Sequence, residues 1–447
     1  MEKTQIIPML TIRIKMLAQN NIKFFVDFFS FCSLFIISNN SRKYDIIRVM
    51  KIITDEKKIN EILTRGVEDV FIKEDLKKRL LSGKQLRIKL GIDPTSPFIH
   101  LGRAVTLLKL KAFQNLGHHI VLIIGDYTAK IGDPSDKLEK RPMLTDQQIK
   151  SNLKKYLEQV SLILDMKKVE VKYNSKWLKK MNIFEIGELL ECFTVQQMTK
   201  RRNFKERLDA GNDVFMVEFL YPALQGYDSV AVNADVEIGG FDQLFNLKAG
   251  RTVQKRYGKK EQDIMVLSML EGTDGRKMSS SWGNIISVID TPTEMFGKIM
   301  SLKDEFITKY FLLTTNLNVD EIKKIENSLK NGENPMEFKK ILAKKIISFY
   351  HSEKEAGKAE ENFVNTFQKK EIPDEMEEIS VKSGEILVDV LLKNKVLSSK
   401  GEWRRLIEGN AIHDLDKNEN ITDFNLKIFE NLTLKIGKKR FLKILVK

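Results

Sequence analysis

The chain has 447 residues, 42% hydrophobic and 30% charged, which excludes a disordered polymer and leaves room for about two or three cored domains. Its formal net charge of +14 points toward a polyanionic partner. Two cysteines, Cys32 and Cys192, and five histidines without ligand spacing exclude a disulfide framework and a cysteine- or histidine-built metal site.

The chain opens with basic residues followed by an apolar run at 24–38, FFVDFFSFCSLFIIS. That run is shorter than the ~20 residues that span a bilayer, Asp27 interrupts it, and no small-residue cleavage site follows. A signal or anchor is one reading. The simpler one makes 1–49 an upstream extension and Met50 the natural start, since MKIITDEKKINEIL reads as the opening of a domain.

From 51 to 81 the apolar positions Ile59, Ile62, Leu63, Val67 and Val70 predict helix by their spacing. LRIKLGI at 86–92 alternates and predicts a strand, and DPTSP a loop. The pattern is helical from Gly102 to about Leu116. HIVLIIGD at 119–126 is a continuous apolar run, the mark of a buried parallel strand. Strand, helix and strand in roughly forty residues form a βαβ unit of a doubly wound sheet. Residues 141–220 predict a helical insertion, with MTKRRNFKERLDAGND a charged helix and turn, before the sheet resumes at VEIGG, 236–240. After KMSSSWGN the pattern is helical through Glu361. A Lys/Glu-rich connector, QKKEIPDEMEEIS, leads to a basic module from Val381 with fourteen Lys and Arg against nine Asp and Glu.

Three constellations carry chemistry. In GIDPTSPFIHLGRA, 91–104, glycine and proline end the strand, and His100 and Gly102 stand where the next helix begins. A helix N-terminus offers unpaired N–H groups to phosphate, and Gly102 lets a nucleotide lie against the backbone. Thr95 and His100 are donors to phosphate oxygens and Arg103 is a permanent charge; the plain alternative is a polar helix start. In EGTDGRKMSSSWGN, 271–284, Lys277 lies among Gly272, Gly275 and Gly283, the composition of a mobile loop whose lysine can close over a polyphosphate. In YPALQGYDS, 221–229, Tyr221, Gln225 and Asp228 fall at i, i+4 and i+7, on one face of a helix that starts or kinks at Pro222. Apolar neighbours such as Phe219, Leu220, Leu224 and Val230 leave little of that helix fit for water, so its polar stripe lines a cleft.

The first two motifs, about 170 residues apart, resemble the HIGH and KMSKS signatures of class I aminoacyl-tRNA synthetases. YxxxQxxD at 221–228, IGGFDQ at 238–243 and IGDPSDKLEKRP at 131–142 narrow the likeness to tyrosyl-tRNA synthetases of the bacterial type. It runs from about 86 to 284 and more loosely to the C-terminus. SSKGEWRRLIEGNAI at 398–412 resembles the ribosomal-protein-type RNA-binding domain that often ends bacterial members and that tryptophanyl enzymes typically lack.

The resemblance implies an α/β fold. A doubly wound, parallel-sheet, Rossmann-like catalytic domain would occupy 50–284 with its helical insertion at about 141–220. A helical tRNA-binding domain and connector would occupy 285–375, and a small α+β RNA-binding domain 376–447. The implied reaction joins tyrosine and ATP into tyrosyl-adenylate and pyrophosphate, then moves tyrosine to the 3′-terminal ribose of tRNA(Tyr). Asp133, Tyr221 and Gln225 would hold the ammonium of L-tyrosine, Asp228 would accept from its phenol, and Gln243 would sit near its carboxylate. Gly240 and Asp242 would bind the ribose of ATP, with Gly91, Asp93, Gly102, Arg103 and Ser280 completing that site. Thr95 and His100 would contact the outer phosphates, and Lys137, Arg141 and Lys277 would steady pyrophosphate. Mg²⁺ would come with ATP, with no protein-bound metal or organic cofactor. Lys400, Arg404, Arg405, Lys438, Lys439 and Arg440 would meet RNA phosphates. The family also implies a homodimer built on the insertion, a cytoplasmic location and no membrane partner.

Three positions depart from the family pattern. Arg103 replaces the second histidine of HIGH, and Ser280 replaces the second lysine of KMSKS, leaving Arg276 or Lys277 to supply the loop's charge. Lys89 stands where many members carry a tyrosine, so a second partner for the phenol is unassigned. Two competing readings are a synthetase-derived RNA-binding or splicing protein without aminoacylation, and a nucleotidyltransferase for another substrate. The complete tyrosine-pocket set opposes the first, and the RNA-binding ending opposes the second.

Overall fold

The structure is a computed structural model describing residues 52–134, 144–365, 376–417, 419–437 and 440–447. The extension at 1–49 with its apolar run, the start at Met50, and Lys137, Arg141, Lys438 and Lys439 lie outside them.

Six strands form the main sheet: β1 (Val67–Phe71), β2 (Arg87–Ile92), β3 (His119–Ile124), β4 (Val169–Tyr173), β5 (Val236–Gly240) and β6 (Asp263–Leu267). Their order is β1-β6-β5-β2-β3-β4. All neighbours are parallel except β1 and β6, so the sheet is mixed by one edge strand. From β2 the chain steps outward to β3 and β4, then returns to place β5 and β6 on the other side. The order reverses between β2 and β5, and the crevice beyond the strand ends at such a reversal is where α/β sheets bind ligands.

The helical expectation for 51–81 is corrected. Helix α1 (Glu56–Thr64), capped by the Asp55 side chain accepting from the Lys58 N–H, is followed by β1 and then by α2 (Lys73–Leu81). Gly66 breaks the run with φ +61°, and the Leu313 side chain fills the space that a Cβ would need. Val67 and Val70 have helical spacing, but pairing with β6 satisfies their backbone instead. The strand at 86–92 is present as β2, although its alternation does not mark a solvent face. Ile88, Lys89 and Leu90 are all buried, because both faces of the sheet are covered.

Helix α3 (Leu101–Asn115) joins β2 to β3 and completes the expected βαβ unit. Helix α4 (Asp146–Val160) starts on a reciprocal cap between Thr145 and Gln148. The insertion expected at 141–220 is not wholly helical. Val169, Val171 and Tyr173 pair with Ile120, Leu122 and Ile124, so the sheet resumes at β4, well before 236. Short helices follow at Ser175–Leu178, Ile183–Leu190, Val195–Thr199 and Arg202–Asp209. Helix α5 (Met216–Ala231) begins six residues before Pro222, which lies inside it, and packs on α6 (Leu244–Arg256). Five longer helices between Pro292 and Phe363 share their apolar core with the sheet, through Phe296, Phe311 and Ile346 among others.

The C-terminal module has its own core around Leu387, Leu391, Trp403, Ile412 and Leu434. Helices Leu387–Lys393 and Lys400–Glu408 come between the first strand of its five-stranded sheet, Glu377–Val381, and the second, Ile412–Asp414.

Candidate active site

The C-terminal ends of β2 and β5 open into a cavity of about 410 Å³, a size suited to a small-molecule ligand. Gly91, Asp93 and Thr95 line it from the end of β2, and His100, Gly102 and Arg103 from the start of α3. Asp133 stands beyond β3, and Tyr221, Gln225 and Asp228 project from α5. Gly240, Asp242 and Gln243 follow β5, and Lys277 and Ser280 come from the distant loop. The members of the predicted phosphate and amino-acid sets that lie among the described residues therefore share one space.

His100 is the N-cap of α3, and its Nδ1 accepts from the Arg103 backbone N–H at 3.3 Å. That bond assigns the ring proton to Nε2. Burial, with the charges of Arg103 and Lys277 nearby, lowers its pKa to about 3. The imidazole is thus a neutral donor at pH 7. Arg103 reaches Thr95 Oγ1 at 3.4 Å through Nη2, while its buried Nη1 has no hydrogen-bond partner among the described residues. An orphaned buried cationic N–H suits an incoming anion.

The loop motif is fastened to this helix start. Leu101 N donates to Ile286 O at 2.8 Å, and Val288 N to Ile99 O at 2.9 Å. Met278 is buried against Gly102, whose N–H lies 3.4 Å from its sulfur. A Cβ at position 102 would stand 3.1 Å from the His100 ring, tight enough to displace it by a few tenths of an ångström, and 3.6 Å from Met278 Cβ, an ordinary contact. Asn284 ties the loop by donating to Asp274 and to the Lys277 carbonyl and accepting from Ser279 N. Lys277 Nζ lies 3.1 Å from Asp242. Arg276 instead pairs with Asp274 at 2.6 Å and lies over Trp282, so Lys277 is the loop cation that lines the cavity.

At the other end, polar groups are bonded to one another. The Tyr221 hydroxyl donates to Asp93 at 2.9 Å, and Thr128 donates to the other oxygen of the same carboxyl at 2.8 Å. Burial raises the Asp93 pKa to about 7. Asp133 accepts from Gln243 Nε2 at 2.6 Å and from Asn246 Nδ2 at 3.3 Å. Asp228 accepts from Trp177 Nε1 at 2.8 Å and from Asn174 Nδ2 at 3.3 Å. Burial raises its pKa to about 7, against the opposing pull of the Lys89 charge. Gln225 donates through Nε2 to Glu237 at 3.1 Å.

Sequence reasoning missed Asn174, Trp177 and Glu237, and took Lys89 only as a departure. The first two follow β4, inside a stretch expected to be a largely helical insertion. Lys89 and Glu237 were visible as opposite charges within otherwise apolar strands.

In the tail, Lys400, Arg404 and Arg405 lie exposed on helix Lys400–Glu408, with Lys400 3.5 Å from Asp389. Arg440 is tied down, donating to Glu402 at 2.9 Å and to the Val396 carbonyl.

The sequence profile of the family described as tRNA synthetases class I (W and Y) matches residues 81–368. The tyrosine–tRNA ligase of Thermotoga maritima is 44% identical over 394 residues, spanning 88% of this chain and 98% of its own length. That of Carboxydothermus hydrogenoformans is 45% identical over 400 residues, spanning 86% and 97%. A C-terminally truncated mitochondrial tyrosyl-tRNA synthetase of Aspergillus nidulans covers 69% of this chain and 94% of its own, with a TM-score of 0.57 at 20% identity, a likeness of fold alone. Sheet, joined motifs and profile together define a class I tRNA synthetase. Within that class the chain belongs to the tyrosine–tRNA ligase family.

Proposed function

We propose that the cavity activates tyrosine with ATP and that the resulting adenylate charges transfer RNA. The observation that carries this reading is one cavity bounded by neutral His100, Arg103 and Lys277 at one end and by buried Asp228 at the other. The tyrosine carboxylate attacks the α-phosphorus in line and pyrophosphate leaves. The nucleophile is already ionised at neutral pH, so no general base is needed, and catalysis reduces to positioning and charge stabilisation.

Asp228, held by Trp177 and Asn174, accepts the phenol proton donor. A site built around such an acceptor rejects phenylalanine, which would leave it unpaired. Tyr221 donates to Asp93 and so offers its oxygen lone pairs to the substrate ammonium, beside Asp133 and Gln225 Oε1; Gln243 stands near the carboxylate. His100 Nε2–H, Thr95 and Arg103 take the outer phosphates, and Lys277 steadies pyrophosphate. Lys137 and Arg141, outside the described residues, join it on the family resemblance. Gly91, Gly102 and Gly240 give the nucleotide close access to the backbone, while Asp242 serves the ribose, with Asp93 and Ser280 at the edges of the ATP site. Mg²⁺ enters with ATP; among the described residues no three of His, Cys, Asp and Glu gather to hold a metal.

The 285–375 helices and the 376–447 module receive transfer RNA, the latter through Lys400, Arg404, Arg405 and the 438–440 basic cluster. A homodimer fits the insertion, where Ile183 and Phe184 are 74% and 83% exposed and Val195 and Met216 are also bare. A cytoplasmic location is in keeping with work on transfer RNA. No helix among the described residues is long and apolar enough to cross a membrane.

The test is ATP–pyrophosphate exchange with each of the twenty amino acids in turn. Exchange is expected with tyrosine alone. Exchange with another amino acid overturns the pocket assignment. None at all from folded protein begun at Met50 favours a scaffold kept for RNA binding.

A further inference from the structure

At the amino-acid end of the cavity, which Glu237 itself lines, lies a buried polar cluster that the mechanism above does not use. Lys89 on β2 and Glu237 on β5 are register partners on neighbouring strands, sealed from solvent at 0% and 1% exposure. Lys89 Nζ lies 2.8 Å from Glu237 Oε1 and also donates to Ser229 Oγ at 2.7 Å and to the Gln225 carbonyl at 3.1 Å. Its three ammonium protons are thereby all placed. Glu237 accepts in turn from Gln225 Nε2 and Ser229 Oγ, each at 3.1 Å, and from Gln262 Nε2. Helix α6 closes the cluster at Gly250, where a Cβ would collide with Gln262 and stand 3.0 Å from Glu237 Oε2.

A buried ion pair is a weak source of stability, because desolvating both charges offsets most of their attraction. Its value lies in what it holds. Gln225 is held twice, its carbonyl by Lys89 and its side-chain amide by Glu237. With Nε2 committed to the carboxylate, the amide oxygen faces away from Glu237, and Gln225 lines the cavity. The group it presents is therefore an acceptor. An amide free to flip would offer N–H donors instead, which repel an ammonium.

We propose that the buried Lys89–Glu237 pair is a positioning pair for amino-acid selection, locking Gln225 with Oε1 toward the cavity and so setting affinity for the α-ammonium of the substrate. The proposal rests on the reading of Gln225 as an ammonium ligand. Glu237 acts through Gln225, and Lys89 acts through Gln225 and, by its charge, on Asp228 as well.

Two variants of the full chain test it by ATP–pyrophosphate exchange. Glu237→Asp keeps the charge pair but withdraws the carboxylate from Gln225 by one methylene. The double variant Lys89→Met, Glu237→Leu replaces the pair with apolar side chains. Each is expected to raise the KM for tyrosine about tenfold, with kcat and the KM for ATP within about twofold. In Glu237→Asp, which keeps the Lys89 charge beside Asp228, competitive inhibition by desaminotyrosine, which lacks the ammonium, is expected to stay the same, whereas a merely loosened pocket would weaken it equally. An unchanged tyrosine KM in Glu237→Asp, or an equal loss for desaminotyrosine, overturns the proposal. Should the double variant fail to fold, Glu237→Asp decides alone. Gln225→Ala separates the two levels. If it leaves the tyrosine KM unchanged, the ammonium assignment falls and the proposal with it; if it raises the KM while Glu237→Asp does not, only the positioning pair falls.

Discussion

The two ends of the cavity differ in how their polar groups are spent. At the phosphate end, His100 keeps an Nε2–H free of the helix cap, Arg103 keeps an orphaned Nη1, and Lys277 reaches in from a loop. At the amino-acid end, Tyr221 is bonded to Asp93, Asp133 to Gln243, Asp228 to Trp177 and Asn174, and Gln225 to Glu237. A ligand that brings several negative charges is served by any cation or N–H nearby, since that attraction depends little on angle. A ligand distinguished by one hydroxyl needs an acceptor fixed in place beforehand. The contrast accounts for two of the three departures from the family, while the third, Lys89, lies at the amino-acid end. Arg103 and Ser280 both lie at the phosphate end, where charge can be redistributed.

The largest break in this comparison comes from His100→Ala. Removing one positioned donor costs about 3–4 kcal/mol of transition-state stabilisation, so kcat for adenylation falls by roughly two to three orders of magnitude. The KM for tyrosine should hold; if it rises as steeply as kcat falls, the two ends are not separable. Asp228→Asn attacks the other end and keeps the shape. It is expected to lower kcat/KM for tyrosine by roughly 10–100-fold with the KM for ATP unchanged, as read from exchange kinetics at varied substrate.

Acidity sharpens the contrast with a smaller, graded effect. Asp228 is raised from 3.8 to about 7 by burial, so its carboxylate takes up a proton as pH falls through that value. Below it, kcat/KM for tyrosine should drop by about tenfold per pH unit. His100, lowered from 6.5 to about 3, adds no loss of its own above that range. The same shifts act on stability with opposite signs. Between 3.8 and about 7 the folded chain keeps protons on Asp93 and Asp228 that the unfolded chain has released, so their contribution falls as pH rises across the window. The His100 contribution falls as pH drops from 6.5 toward about 3. Thermal unfolding of His100→Ala across pH should lack that acid-side loss. The smallest effect is expected of Ser280→Lys, which restores a cation to the loop. It should raise kcat/KM for ATP by about threefold, and less as salt is added; a fall would mean that the loop is already full of charge.

Much of the fold was legible wherever a run was long and of one kind. HIVLIIGD announced β3, and the helix after Gly102 and the strand VEIGG fell within a residue or two of their observed bounds. Short elements were lost to their neighbours. Val67 and Val70 continued the spacing of α1 and hid β1, while the five-residue β4 was absorbed into the surrounding helices. For the site, the residues on local motifs were legible because one strand end, one helix start or one helix face collects them. Trp177, Asn174 and Glu237 were not, since they meet Asp228 and Gln225 only across the folded sheet. No spacing along the chain encodes such neighbours.

The bonds from Ile99 and Leu101 to Val288 and Ile286 have a consequence for synthesis. The helix start that faces ATP leaves the ribosome early, but the segment that pairs with it is added about 190 residues later. A nascent chain thus carries an unfinished phosphate end while about 190 of its 447 residues are added, since long-range contacts wait for their second half. Only a copy grown past Val288 holds both halves of that end.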